Sequence, residues 1–535
     1  KKILDKYKIE FIFHAAAYKH VKFLEKNILS AVENNIFGTL NILKAIKNKK
    51  INLTFISSDK AVNPKNILGM TKRVGEILCQ YFSKKKEYLR CRISIVRFGN
   101  VIGSDGSALP LFVNQIRQDI PISITDMKMK RYFMSIQEAS RLVVQTAQIK
   151  SNGKIFVLNM GKQMKIVDIK TTILRQPNVK PIADGIQDLL VIEVLTDQGI
   201  TGIGEVHSSP YIAKAIIEAP MSHVSAIGLK QILIGRNPLE REILWRDMYR
   251  YSSVYGRRGV TIHAISGIDI ALWDILGKVT QMPAYMLMGG GYNQKVKAYA
   301  SMLMPNSTEE IKKEVNKVVE EGFQAIKLGW GPLGDDVDSS LELISSIRGI
   351  TGKEIDIMID VGYGMEMNKA LQMVKGLEEF NIFFLEEPLS PDNLEGFARL
   401  SLKTDIAIAT GEKETTYYGF RDLIRIGKVD IIQPDIARVG GLTESKKILD
   451  LATKEGITCI PHCWSSDILL SATLQLVSCI PSIPYIEYCT LETPLRTSVC
   501  QNRIKVVDGY VEIPDLPGIG AQLNEETLNS YIYNH

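Results

Sequence analysis

Asp356-Ile357-Met358-Ile359-Asp360, Phe383-Phe384-Leu385-Glu386 and Ile406-Ala407-Ile408-Ala409-Thr410-Gly411-Glu412 are three short apolar runs, each closing on an acidic residue. Twenty-six residues separate Asp360 from Glu386, and 26 separate Glu386 from Glu412. A strand and a helix together need about that length, so each repeat returns the chain to the same rim of a parallel sheet. Outward from these runs the rhythm continues. Lys297–Ser301 and Ala325–Leu328 precede them; Ile431–Pro434, Thr458–Pro461 and Tyr485–Glu487 follow, with helical patterns in the gaps. Eight β/α steps predict an α/β fold with a TIM-type barrel, in which polar residues at the C-terminal strand ends carry the chemistry.

The strand ends hold such residues. A single Asp after a strand is ordinarily a helix cap. Three carboxylates at one period, each behind an apolar strand, point instead to a shared task. Asp360, Glu386 and Glu412 offer hard oxygens on one rim, the donor set for Mg²⁺ with positions left for substrate. Glu387 is expected to point elsewhere, because neighbouring strand residues face opposite ways. The next strand ends in Gln433-Pro434-Asp435 and the one after in Pro461-His462. An Asp beside a His on adjacent strands is an orienter and a general base: the carboxylate selects the tautomer and supports the imidazolium. Glu487 closes the eighth strand, where it can donate or accept a hydrogen bond.

The rest of the 535 residues sets the frame. A composition 45% hydrophobic and 23% charged is that of a soluble globular protein, and the length allows several domains. The net charge of +6 is small. The Lys-rich runs at 1–8, 44–50 and 84–86 lack interleaved aromatics and read as solvated faces, so no nucleic-acid partner is expected. Cys459 and Cys463, the closest of seven cysteines, form no CxxC, which fits reduced thiols and a cytoplasmic protein. No signal peptide is visible. The longest uncharged stretch, Ile468–Ile486, contains Gln475, Pro481 and Pro484 and reads as a buried helix followed by a strand, so no membrane span is expected. The chain starts at Lys1, partway into an α/β pattern, which suggests a truncated N-terminus. Ahead of the barrel, Met164–Leu174, Leu189–Thr196 and Gly202–Glu205 read as a meander, turned at Asp197-Gln198-Gly199. Helices are expected from about residue 212 to 278.

Leu385-Glu386-Glu387-Pro388, Gly411-Glu412, Pro434-Asp435-Ile436-Ala437-Arg438-Val439-Gly440-Gly441 and Pro461-His462 carry a resemblance. Residues 164–535 resemble the enolase superfamily in its mandelate racemase subgroup. The resemblance implies a cap at 164–291, a catalytic barrel at 292–500 and a segment at 501–535 returning to the α+β cap. It implies Mg²⁺ on Asp360, Glu386 and Glu412, and His462–Asp435 as the base dyad. The reaction expected is removal of the α-proton of a carboxylate, with an acid sugar dehydrated to a 2-keto-3-deoxy acid. Cap loops at 184–188 and 207–211 are the candidates for substrate choice, Tyr255–Gly259 is a further exposed basic turn, and relatives usually self-associate. One departure narrows the reaction. The resembled racemases carry Lys-x-Lys on the second strand. Here Lys327-Leu328-Gly329 keeps a lysine to hold the substrate carboxylate but has no second base, which disfavours a racemase or epimerase. Gly329–Gly334 also matches GxGxxG in letters, but Pro332 and its barrel-loop position argue against a nucleotide site.

Residues 1–163 alternate strands (Ile9–Ala15, Leu53–Ser57, Ser94–Phe98) with helical patterns, a partial Rossmann-like α/β segment. His14-Ala15-Ala16-Ala17-Tyr18-Lys19-His20-Val21, Ser57-Ser58-Asp59-Lys60-Ala61, Thr71-Lys72-Arg73 and Arg97-Phe98-Gly99-Asn100-Val101 resemble the nucleotide-sugar 4,6-dehydratases of polysaccharide biosynthesis. That resemblance implies catalytic roles for Asp59 and Lys60, and Lys72 on the nicotinamide ribose. The Gly-rich first βα turn is missing, and Leu68 stands where a tyrosine is usual. A vestigial NAD-type site, with little NAD affinity and no 4,6-dehydratase activity, is the expectation. Met164–Ile169 reads both as the end of this segment and as the start of the cap, which places the join there.

Overall fold

The computed structural model describes the chain apart from residues 1, 102–132, 135, 150–151, 158–163, 183, 306, 363 and 534–535. Its contacts divide into two units, Lys1–Gln163 and Met164–His535.

In the first unit four strands, β1 (Phe11–His14), β2 (Asn52–Ser58), β3 (Arg92–Phe98) and β4 (Ile155–Val157), form a parallel sheet in that order. Helix Ile67–Ser83 packs on it, and Leu53, Phe55, Ile93 and Ile95 fill the core between. β1 is an edge strand in this sheet.

The second unit opens with an antiparallel meander of β5 (Ile166–Arg175), β6 (Asp188–Thr196) and β7 (Thr201–Val206), turned at Asp197–Gly199. Helix Val260–Thr280 lies against it. By length and composition this helix alone among the described ones could cross a membrane, but 83% of its apolar window is buried inside the protein.

Eight parallel strands follow: β8 (Lys295–Leu303), β9 (Ala325–Gly329), β10 (Asp356–Asp360), β11 (Ile382–Glu386), β12 (Ala407–Thr410), β13 (Ile431–Ile432), β14 (Thr458–Cys459) and β15 (Ile486–Cys489). Each pairs with the next from β8 to β14, and β15 pairs with β8. Across the remaining gap the Cys463 amide donates to Glu487 Oε2 at 2.7 Å. β13 and β14 stop short of the ends expected from sequence because Pro434 and Pro461 have no N–H to continue a ladder. The uncharged stretch resolves into helix Asp467–Val477 and strand β15. After the barrel, β16 (Val506–Val507) and β17 (Tyr510–Glu512) form a hairpin on β8, and the Tyr533 amide bonds Ile173 O of the meander at 2.8 Å.

The barrel interior sets the site. Tyr299, Ala325, Met358, Phe384, Ala409, Ile431, Ile460 and Tyr485, one from each strand or its margin, pack together as one buried layer. Side chains on one face of a strand recur every two residues. The next inward positions are therefore Ser301, Lys327, Asp360, Glu386, Gly411, Gln433, His462 and Glu487. An apolar floor carries a polar layer directly above it.

Candidate active site

A cavity of about 370 Å³ opens over that polar layer. Barrel residues Lys327, Asp360, Glu412, His462 and Glu487 line it, and the cap contributes Ile182, Asp184, Gly185 and His207. Of the two cap loops singled out from sequence, both reach it. Arg257 and Arg258 do not line it; Arg258 lies 5.9 Å over the Tyr418 ring.

Lys327 Nζ stands 2.8 Å from Glu386 Oε2 and 2.8 Å from Glu487 Oε1. Burial alone would depress this ammonium, but the two carboxylates reverse the effect and hold it well above its usual range. Its partners here are thus the protein's own acids, which leaves one of its three N–H donors for the cavity. Glu487 also accepts from Ser301 Oγ at 2.8 Å. Burial would raise its carboxyl, yet Lys327 and His462 keep it below the ordinary value, so it is an acceptor only and cannot donate.

The three acidic strand ends differ. Asp360 and Glu386 are register partners on β10 and β11. Burial, then the charge of Glu386, pushes the Asp360 carboxyl well up. Glu386 is raised too, by burial, and its Oε1 has no hydrogen-bond partner. Glu412 is held well below its usual range: burial opposes this, and His462, Arg438 and Lys413 outweigh it. Glu387 lies just past the end of β11 and has other partners. It sits at φ +51° and accepts from Thr410 Oγ1 and Lys413 Nζ, each at 2.7 Å.

His462 Nδ1 lies 2.8 Å from Asp435 Oδ2, and its Nε2 lies 2.9 Å from Glu412 Oε2. Burial would lower its pKa, but Glu487 and Glu412 raise it to about 10. Asp435 is the converse. Burial would raise it, and His207, His462 and Arg438 hold it well below the usual carboxylate range.

Buried carboxylates crowded together, one with an orphaned oxygen, are under-compensated by the cations around them. All three donors are hard oxygens. The residues therefore fit a divalent cation such as Mg²⁺. Among the described residues the ligand atoms that lie within 4.8 Å of one another belong instead to His207, Asp435 and His462. That trio is joined by hydrogen bonds, and the Arg438 guanidinium beside it opposes a second positive charge. Asp360, Glu386 and Glu412 are less tightly gathered because Lys327 draws on Glu386 and His462 on Glu412.

Gly329 explains the missing second base. A Cβ there would fall 2.8 Å from Asp360 Oδ2 and 2.9 Å from Asp360 Cβ, so no side chain fits while that carboxylate stays in place. Trp330, next in the chain at φ +65°, lines the cavity, with Lys413 Nζ 5.6 Å from the indole.

Several site residues carried no assigned role in the sequence reading. Arg438 lies inside a quoted motif; it donates to His207 O, His207 Nε2 and Glu412 O. Trp464, Lys413 and Ser301 line the cavity. Glu205 on β7 is wholly buried and accepts from the hydroxyls of Ser465 and Ser466, tying the cap to the loop after β14. His207 was legible only as part of a cap loop, since its partner Asp435 is 228 residues away.

In the first unit, Lys60 Nζ meets Asp59 Oδ1 at 3.1 Å on a 3₁₀ turn. Lys72 is buried, donates to Ile56 O at 2.7 Å and is lowered to about 8 by burial. The cavity described there, about 260 Å³, is lined by apolar residues such as Phe13, Ile56 and Phe98, and not by Asp59, Lys60 or Lys72.

Comparison with known proteins agrees with this division. Residues 168–289 match the family described as "Mandelate racemase / muconate lactonizing enzyme, N-terminal domain", and 310–527 match "Enolase C-terminal domain-like". Residues 1–191 match "Polysaccharide biosynthesis protein". The chain is similar to the arabinonate dehydratase of Saccharolobus solfataricus, 31% identical over 66% of this chain and 93% of that protein. It is similar to the crystal structure of the 3,6-anhydro-D-galactonate cycloisomerase of Zobellia galactanivorans, with a TM-score of 0.63, 32% identity and coverage of 69% of this chain and 100% of that one. The N-terminal part is similar to the capsular polysaccharide biosynthesis protein CapD of Staphylococcus aureus, 43% identical over 35% of this chain; it spans 31% of that protein.

Proposed function

This chain belongs to the mandelate racemase and muconate lactonizing enzyme family of the enolase superfamily, joined to an N-terminal polysaccharide-biosynthesis segment, and from that premise we propose that it eliminates oxygen from acid sugars. The substrate is an acid sugar, the base is His462, and loss of a β-hydroxyl as water yields a 2-keto-3-deoxy acid. Mg²⁺ on Asp360, Glu386 and Glu412 would supply positive charge where the substrate carboxylate gains negative charge.

The chain's own residues account for the proton. Asp435 accepts the His462 Nδ1–H, so Nε2 is the atom that takes the α-proton, after it has given up the hydrogen it shares with Glu412. Lys327 offers its remaining N–H to the substrate carboxylate. The imidazolium then gives its proton to the departing β-oxygen, so one residue serves as base and acid in turn. Cap residues and the indoles of Trp330 and Trp464 line the cavity beside these groups.

The single observation that carries this reading is the one-sided base. His462 lines the cavity with Asp435 on its Nδ1, and position 329, where the resembled racemases carry a second lysine, leaves no room for a side chain beside Asp360. A one-base elimination needs nothing more, whereas a racemase does. The similarity to a cycloisomerase supports a close variant, in which the oxygen that leaves is that of a ring. The test is incubation of full-length protein and Mg²⁺ with aldonic acids, aldaric acids, their lactones and anhydro-sugar acids, with 2-keto acids detected as semicarbazones. Keto acid from open-chain acids supports dehydration; keto acid from cyclic acids alone supports ring opening. Absence of both, with α-deuterium exchange also absent, rejects the proposal.

A further inference from the structure

We propose that His207, a residue of the cap, is a positioning residue for the base, acting through the carboxylate that both imidazoles share. This rests on the reading of His462 as the base. Asp435 Oδ2 receives two imidazole nitrogens, His462 Nδ1 at 2.8 Å and His207 Nδ1 at 2.8 Å, while its Oδ1 accepts the Ala437 amide at 2.8 Å. The two rings are nearly parallel, 11° apart with centroids at 5.8 Å.

The tautomer of His207 follows from its other nitrogen. Arg438 has only donors, and one lies 3.1 Å from His207 Nε2, so Nε2 accepts and Nδ1 carries the hydrogen given to Asp435. Burial, with Arg438 next, lowers the His207 pKa to about 4, in keeping with a neutral ring. Arg438 also donates to His207 O, which fixes the backbone just after β7.

Two consequences follow for the base. With two imidazoles and an amide donating to it, Asp435 is a weaker proton acceptor and leaves the Nδ1–H on His462. The orientation of His462 is set jointly by the barrel and by a residue from the cap, so seating of the cap strand is built into the geometry of the base.

The test uses the full-length protein labelled with ¹⁵N-histidine. The His462 Nδ1–H resonance is identified by its loss in His462→Asn. In His207→Leu it is expected to shift, because a donor to the shared oxygen is gone. In His207→Asn, whose amide nitrogen can stand near the position of Nδ1, it is expected to stay close to the parent's. On an acid sugar found to turn over, His207→Leu should lower kcat on the order of 10- to 100-fold, as loss of an outer-shell partner commonly does, with KM little changed. His207→Asn should recover most of that loss. A His462 resonance that ignores His207→Leu overturns the proposal, and this arm needs no turnover, so it stands apart from the failure of the functional reading. A rise in KM at unchanged kcat also overturns it, because it would make His207 a substrate contact. A melting temperature lowered in both variants alike, with kcat unchanged, makes the role structural only and overturns it too.

Discussion

At the scale of single residues the site depends on charge held in a small buried space. His462→Asn is expected to abolish exchange of the substrate α-proton, since an amide cannot accept it. General-base catalysis contributes roughly 10²–10⁴-fold, so a loss of that order or more should appear in kcat. Exchange in D₂O should enter from the His462 face alone; exchange giving both epimers at similar rates would show a second base that the structure does not place opposite it. Gly329→Ala makes a separate prediction. Its Cβ would stand 2.8 Å from Asp360 Oδ2, so the carboxylate must move. Affinity for Mg²⁺ should fall on the order of 10- to 100-fold, as when ligand geometry is disturbed, read by calorimetry. Unchanged affinity would remove Asp360 from the cation's ligands. Chelation with EDTA should abolish activity and Mg²⁺ should restore it; full activity after chelation would refute the cation altogether.

At the scale of elements, helix Val260–Thr280 joins the cap to the barrel through a cap that no local sequence supplies. Helix Gly441–Glu455 starts on Gly440, which has no side chain to cap it. Ser266 Oγ accepts from the Gly440 amide at 2.8 Å, and Asp269 accepts from the amide and hydroxyl of Thr443 at 2.9 and 2.7 Å. Of these bonds from another helix, the one from Asp269 Oδ2 satisfies the Thr443 amide in the first turn, which has no partner within its own helix. A Cβ on Gly441 would fall 2.4 Å from Asp269 Oδ2, so close approach requires glycine there. Burial pushes the Asp269 carboxyl up to about 7, against the donors of Thr443, from an ordinary value of 3.8. The folded state then binds this proton more tightly than the unfolded one. The stability it contributes is complete below about pH 4 and is lost as pH rises to about 7. Asp269→Asn removes this titration. The melting temperature of the parent relative to the variant should therefore be higher at pH 5 than at pH 8, and a constant difference would refute the shift.

At the scale of the whole molecule, the fragment Met164–His535 is expected to fold and act without residues 1–163, because its meander, barrel and C-terminal hairpin make their own core. An insoluble or inactive fragment, beside an active full chain, would refute this, and micromolar NAD binding by the full chain would refute a vestigial first unit. What the sequence by itself determined was the barrel, its eight strand positions and the acidic residues at one rim. Each of these is written in local periodicity: apolar runs of strand length, a 26-residue repeat, and alternation that sends Glu386 to the same face as Phe384. Strand ends were less legible, because Pro434 and Pro461 cut β13 and β14 short through a missing amide. Only the tertiary structure decided how the charges compensate. The partners of Lys327 lie on β11 and β15, those of Glu412 include His462, and the second imidazole on Asp435 comes from the cap, 228 residues away. Hydrogen bonds and desolvation act over a few ångströms of space, whatever the distance along the chain, so pairings of this kind leave no period in the sequence.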